Sequence, residues 1–115
     1  LHAHGVLVFA GNDNVRDTWN PIGTADMLER ATMISWRADY RRDEQLRYAF
    51  ALASGHAARA LGCPATAIEV GNAASFALVE AENIPAAVAA HPRRELVFHE
   101  GRVVGREGKR VTAAA

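Results

Sequence analysis

The first apolar run of the chain is typical of a buried strand. It spans residues 6–10, lies between Gly5 and Gly11, and contains no polar residue. Strands that are buried on both faces, as in a parallel sheet or barrel, have continuous apolar runs because neither face meets water. The next segment, residues 12–23, contains three asparagines, a proline and a glycine, and this composition predicts a loop.

Helical spacing begins after this loop. Thr24 is a candidate N-cap, and the residues that follow place apolar side chains three or four positions apart, as on one face of a helix. The residues on this face are Met27, Ala31, Ile34 and Ala38. The pattern breaks at 41–43 and resumes in a second helix over 46–53. Ser54 is placed to cap a short third helix that ends before Gly62.

The second half of the chain has a different pattern, which predicts a small antiparallel β unit. Residues 76–79 form a β-type run, and residues 84–90 predict one or two turns of helix. The dipeptide at 100–101 lies between two further β-type runs, 93–99 and 102–104, and this arrangement predicts a β-hairpin.

The predicted order is therefore one buried strand, a loop, two or three helices and an antiparallel β unit, which is an α/β chain. A parallel strand needs neighbours for its hydrogen bonds, so residues 6–10 cannot stand alone. We expect the neighbouring strands to come from outside this segment, and we therefore expect a partial chain.

Composition narrows the possible functions. Half of the residues are hydrophobic, and 13 basic residues balance 13 acidic ones, which predicts a folded domain without a nucleic-acid or membrane-binding charge patch. The arginine pairs at 41–42 and 93–94 are predicted to be solvated. One cysteine, Cys63, excludes an internal disulfide and a thiolate zinc site, and we expect it to be at least half-buried. No apolar run approaches the ~20 residues of a membrane span, so an intracellular location is expected.

The loop after the predicted strand carries the residue with the clearest chemical potential, Asp13. Active sites of α/β barrels lie at the carboxyl ends of the strands, in the loops that follow them. A carboxylate there can bind a divalent metal and accept a proton from the water that the metal activates. An aspartate after a strand is also a common turn former, so the residue pattern alone leaves both interpretations open.

A resemblance to a known family favours the chemical interpretation. Residues 12–23 resemble the segment after the last barrel strand of the cytosine deaminases and of the related N-isopropylammelide isopropylaminohydrolases, which belong to the amidohydrolase superfamily. The stretches at 58–62, 68–74 and 101–104 are similar to later parts of the same family. The run Asp-Asn-Val-Arg-Asp-x-Trp, which starts at Asp13, is the most specific part of this likeness.

The resemblance implies a function for the loop. By this likeness, Asp13 is a metal ligand that helps to activate the hydrolytic water, and Asn14 and Trp19 contact the substrate. The aromatic ring of Trp19 suits a flat heterocycle. The implied reaction is deamination, or hydrolysis of another C–N bond, in a cytosine-like or triazine-like ring, with one zinc or iron ion. Asp17 is expected to shape the loop by accepting hydrogen bonds from backbone N–H groups.

The resemblance also implies an architecture. Residues 1–64 would supply the last strand of a TIM barrel with its active-site loop and helices, and residues 65–115 would supply part of a small β-sandwich. The family's other metal ligands and its acid/base residues have no counterpart here. The remainder of the barrel, or another copy of the chain, is expected to cover residues 6–10. The alternative is an inactive partial chain or subunit.

The histidines are expected to be structural or exposed. His2 and His4 imitate a His-x-His ligand pair, but they precede the predicted strand and would lie at the wrong end of a barrel. His56 is expected to be a hydrogen-bonded structural residue, and His91 and His99 are expected to be exposed.

Overall fold

Helices dominate the first half of the computed structural model, which describes residues 4–64 and 67–111. They are α1 (Met27–Arg37), α2 (Asp43–Leu52) and α3 (Gly55–Ala60). The predicted break between the first two helices is confirmed. The longest of them, α1, has 11 residues, and no helix within the described ranges could cross a membrane.

Helix α1 begins two residues later than Thr24 predicts. Its N-cap is Asp26, whose Oδ1 accepts hydrogen bonds from the backbone N–H groups of Leu28 at 2.8 Å and Glu29 at 3.3 Å. Ala25 adopts a left-handed φ of 60°, which turns the chain just before the helix. The hydroxyl of Thr24 instead accepts a hydrogen bond from the Asp26 N–H at 3.2 Å. The N-cap prediction is therefore wrong, and Thr24 holds the turn that precedes the cap.

The second half forms a four-stranded antiparallel sheet with one helix. Its elements are β1 (Phe76–Val79), α4 (Ile84–Ala90), β2 (Arg94–His99), β3 (Arg102–Arg106) and β4 (Lys109–Arg110), and the strands are ordered β1-β2-β3-β4. The predicted hairpin is confirmed: Glu100 and Gly101 both have positive φ, at 49° and 78°, as a tight two-residue hairpin turn requires. Phe76 and Phe98 face each other across β1 and β2 with ring centroids 4.8 Å apart.

The core lies where α1, α2 and α4 meet. Small residues fill it: Ala31, Ala49 and Val88 are each fully buried. The hydroxyl of Thr32 in α1 donates a hydrogen bond to the backbone oxygen of Val88 in α4 at 2.6 Å. A helix from the second half thus packs on helices from the first, while the proposed domain boundary after residue 64 stays a prediction.

Residues 6–10 form no strand within the described ranges. A parallel strand requires ladder hydrogen bonds from neighbours, and the four strands of the sheet do not pair with this segment. The segment contacts the helices instead, since the Ala10 N–H donates to the Leu52 oxygen at 2.9 Å. Val6, Leu7 and Phe9 remain 46, 39 and 50% exposed. The expected burial on both faces is therefore absent in this chain alone.

The remaining expectations have mixed outcomes. His56 is confirmed as a structural histidine, because its Nδ1 lies 3.0 Å from the Val8 oxygen and its ring packs edge-on against Tyr48 at 6.0 Å. His99 is exposed, as expected. Cys63 is exposed, contrary to expectation, because it follows a short helix in a stretch, residues 61–64, with no buried residue.

Asp26 also joins the helices to the sheet. Arg94 on β2 donates to Asp26 Oδ1, the oxygen that caps α1. His91 Nε2 lies 3.4 Å from Oδ2, an approach that is not a hydrogen bond. The side chains of His91 and Arg94 are only 36 and 20% exposed, so the expectation of solvated positions is wrong for both. For Arg94 the cause is the carboxylate of Asp26, which accepts the hydrogen bond of its guanidinium.

The close packing of small side chains leads to a stability prediction. Ala49→Leu adds three carbon atoms at a fully buried position, and we expect overpacking to lower the free energy of unfolding by about 1–3 kcal/mol. Ala89→Leu makes the same change at an exposed position in α4 and should change it by less than about 0.5 kcal/mol. Urea denaturation measures both variants. Equal effects would contradict the assignment of the core.

Candidate active site

Asp13 lies on the loop between the apolar segment 6–10 and helix α1, and its carboxylate is exposed. With Asn14 it lines a depression of about 190 Å³ between the loop and the first turns of α1. The helix contributes Glu29, Arg30 and Met33 to the opposite wall. Two of the three predicted site residues therefore share one concave surface.

The residue before Asp13 is attached to helix α1. Arg30 donates to Asn12 Oδ1 from Nε at 2.8 Å and also from Nη2. The Asn12 amide nitrogen lies 3.3 Å from the sulfur of Met27. Both ends of one amide thus contact the helix, so the backbone entering Asp13 is fixed relative to α1.

The residue after Asp13 is held by a second set of contacts. Asn14 has a left-handed φ of 54°, and its amide nitrogen donates to Asp17 Oδ2 at 3.0 Å. The other oxygen of Asp17 accepts from the backbone N–H groups of Trp19 at 2.9 Å and Asn20 at 3.0 Å. The expectation that Asp17 shapes the loop is confirmed.

These hydrogen bonds also change the acidity of Asp17. The backbone N–H of Asn20, followed by that of Trp19, stabilises the carboxylate and holds the pKa of Asp17 below its ordinary value. The loop closes on itself in the same region, because the Arg16 N–H donates to the Ile22 oxygen at 3.3 Å. The turn around Asp17 is therefore built from neighbouring residues.

Trp19 lies apart from the other two predicted site residues. Its side chain is 86% exposed, and it does not line the depression beside Asp13 and Asn14. Because its backbone N–H is bonded to Asp17, the loop fixes the main chain at Trp19 and leaves the indole ring in solvent. The functional roles of all three residues stay predictions.

The described residues offer only part of the ligand set that a metal needs. Asp13 offers an exposed hard oxygen ligand, which suits a divalent ion. Residues 4–64 and 67–111 contain no group of three His, Cys, Asp or Glu side chains that could hold a metal, whereas a catalytic zinc site uses three protein ligands. Asp13 fits as one ligand, and these residues do not complete a site.

The contact between Asn12 and Arg30 was not anticipated from the sequence. The two residues are 18 positions apart, and no spacing rule links them. Helical spacing would instead pair Arg30 with Asp26, whose carboxylate accepts a hydrogen bond from Arg94 in the structure. The local pair at Asn14 and Asp17, three positions apart, had a recognisable signal, because asparagine and aspartate commonly bond nearby backbone groups in turns.

The lowered pKa of Asp17 predicts how the loop responds to acid. Since the folded-state pKa is depressed, the stabilisation is present above the ordinary value of 3.8 and is lost as the pH falls through the lower, folded-state pKa. The amide shifts of Trp19 and Asn20, measured by NMR, should titrate with a midpoint below 3.8. Asp17→Asn should remove this titration, and Asp39→Asn, at an exposed carboxylate, should preserve it. A midpoint at or above 3.8 would contradict the assignment.

Comparison with known proteins gives a consistent picture. Residues 1–105 match the model of the amidohydrolase family. The chain is 34% identical to the uncharacterised protein YahJ of Escherichia coli (strain K12), over 90% of this chain and 23% of that protein. It is 27% identical to N-isopropylammelide isopropyl amidohydrolase of Pseudomonas sp. (strain ADP), over 87% of this chain and 25% of the relative. The chain thus spans about a quarter of the length of the curated relatives it matches.

Solved structures agree with this assignment. N-isopropylammelide isopropylaminohydrolase from Burkholderia multivorans ATCC 17616 superimposes with a TM-score of 0.91 and 45% identity, covering 96% of this chain and 28% of that one. For 5-methylcytosine deaminase from Klebsiella pneumoniae the TM-score is 0.80 at 21% identity, with 99% of this chain and 27% of that one covered, which shows a shared fold. The predicted fold class, part of an amidohydrolase, is confirmed, and the chain belongs to the amidohydrolase family.

Proposed function

We propose that this chain supplies the Asp13 loop to an amidohydrolase that hydrolyses a C–N bond in a cytosine-like or triazine-like heterocycle. The observation that carries the proposal is the 45% identity and TM-score of 0.91 with an N-isopropylammelide isopropylaminohydrolase. The second solved relative is a 5-methylcytosine deaminase, an enzyme named for a substrate that is also a nitrogen heterocycle.

Asp13 has the central role in this proposal. Its exposed carboxylate lines a depression, which suits a group that holds a metal and accepts a proton at a carboxylate oxygen. Zinc or iron, when bound, would lower the pKa of a coordinated water to ~7, so that hydrolysis can proceed at neutral pH. The other ligands would come from residues outside the described ranges, since these ranges contain no group of three potential metal ligands.

Asn14 and Trp19 would recognise the substrate. The side chain of Asn14 lines the same depression as Asp13, and an amide offers both a donor and an acceptor to a ring with N–H and C=O groups. The exposed indole of Trp19 would cover the flat face of the heterocycle when the ring enters. In this proposal the partner is a small molecule, and the leaving group is ammonia or an amine.

The apolar segment would complete the barrel. Val6, Leu7 and Phe9 are each between 39 and 50% exposed, and neighbouring exposed apolar side chains are typical of a surface that another segment covers. We propose that barrel strands outside this segment pair with residues 6–10 and bury these side chains. This pairing would also bring the remaining metal ligands to the end of the strand that carries Asp13.

The role of Asp13 is testable in a protein that carries the whole barrel. We expect Asp13→Ala to reduce release of ammonia or alkylamine from cytosine and N-alkyl triazine substrates by at least about 1,000-fold, because the variant lacks both a ligand and a proton acceptor. Metal content, measured by inductively coupled plasma spectrometry, should also fall. Asp39→Ala removes an exposed carboxylate and should leave both measurements unchanged. Turnover close to that of the unmodified protein in Asp13→Ala would remove Asp13 from the mechanism.

A second candidate, an inactive partial chain or subunit, is favoured by one observation. No group of three potential metal ligands occurs among residues 4–64 and 67–111, and a zinc site built on one carboxylate would bind weakly. We therefore expect the 115-residue chain alone to show no deaminase activity and no tight metal binding. The measurement is zinc content after dialysis against a weak chelator. Retention of one zinc ion per chain would refute this expectation.

A further inference from the structure

We propose that Arg30 is a positioning residue for Asp13. Through Asn12, its guanidinium would hold the loop at the location where Asp13 can bind the metal. This inference rests on the proposed function of Asp13. It concerns a residue of helix α1 that has no place in the ligand set or in substrate recognition.

The geometry of the contact is that of a fork. Two nitrogens of one guanidinium, Nε and Nη2, donate to the single oxygen Oδ1 of Asn12. An arginine fork restrains the direction of its acceptor as well as its distance, which a single ammonium group cannot do. The Asn12 amide nitrogen is meanwhile 3.3 Å from Met27 Sδ, so the amide cannot rotate without losing contacts on both sides.

Arg30 belongs to a well-anchored part of the helix. Its neighbour Ala31 is fully buried, and Leu28 is 8% exposed in the same core cluster. A contact with this stretch of α1 therefore fixes the position of the loop relative to the hydrophobic core. Asn12 and Asp13 are joined by one planar peptide unit, so a displacement of the Asn12 backbone also displaces the backbone N–H of Asp13.

The charge of Arg30 is available for this role. Among residues 4–64 and 67–111, the ion pairs involve Arg41 and Arg94 but not Arg30, and the acceptor of the Arg30 guanidinium is a neutral amide. A charge-assisted hydrogen bond to an amide is stronger than a neutral one. Arg30 also lines the depression beside Asp13, which places the clamp at the edge of the proposed site.

The contacts on the other side of Asp13 explain why one clamp matters. Asn14 is tied to Asp17, but that turn is closed by its own residues and does not reach the helix core. Among residues 12–20, the side-chain hydrogen bonds that reach α1 are those of Asn12, with Met27 and Arg30, while Thr24 donates to Glu29 at the far end of the loop. The Asn12–Arg30 contact is therefore the charge-assisted link that holds the side of the loop next to Asp13 against α1. Its loss should let the whole loop move as a unit while the turn stays intact.

The experiment compares Arg30→Met and Arg30→Lys with the matched control Arg37→Met, on an exposed position of the same helix. In the 115-residue chain, ¹⁵N relaxation should show the order parameter of the Asp13 amide falling from about 0.85 to below about 0.6 in Arg30→Met. Asp17 should keep its lowered pKa, because the turn survives. Arg37→Met should change neither value.

Measurements of kcat and KM then distinguish a positioning role of Arg30 from a role in stability alone. In a protein with the whole barrel, Arg30→Met should lower kcat about 10- to 100-fold with KM within about twofold, as a small misplacement of a reacting group does. Arg30→Lys, with a donor but no fork, should be intermediate. These outcomes support the proposal.

Three results would overturn it. An unchanged Asp13 order parameter in Arg30→Met would show that the clamp does not hold the loop. Equal losses of kcat in Arg30→Met and Arg37→Met would show a general effect on the helix. A loosened loop with unchanged kcat would disprove positioning while the proposed function stands, because that function is tested separately by Asp13→Ala.

Discussion

The carboxylate of Asp26 is the constraint on which the arrangement of helices and sheet depends. One oxygen caps α1 and receives the guanidinium of Arg94 from β2, so the start of the first helix and one strand of the sheet share a single acceptor. The side chain is only 25% exposed, where an ionic hydrogen bond is screened less than at an open surface. The helix that forms one wall of the candidate site is thereby fixed relative to the β unit.

Most helices and the hairpin were predictable because their signals are local. Periodic apolar residues marked α1 and α2, and the dipeptide Glu100-Gly101 marked the turn between β2 and β3. Side-chain environments were less predictable where they depend on partners far along the chain. Arg94 was expected in solvent, yet a carboxylate 68 positions away binds it. No spacing rule covers such a pair, since the fold alone brings the two residues together.

In the candidate site, too, the contacts between neighbouring residues were predictable and those between distant residues were not. The turn around Asp17 follows from the known tendency of aspartate to accept nearby N–H groups, and the sequence predicted it. The clamp between Asn12 and Arg30 depends on how the loop packs on α1, so the sequence did not predict it. Residues 6–10 are a third case: the apolar run predicted a buried strand, whereas this segment forms no strand among the described residues and leaves Val6, Leu7 and Phe9 partly exposed. A strand is a property of a pair of segments, so one segment cannot display it.

The two anchors that flank Asp13 have a consequence for binding. A loop that must become ordered when its ligand arrives loses conformational entropy at that moment, and the affinity falls accordingly. Here Asn12 is fixed by Arg30 and Asn14 by Asp17, so this ordering accompanies the folding of α1. The backbone that carries Asp13 is therefore preorganised, and a metal or substrate that bound there would encounter a surface whose shape was set beforehand.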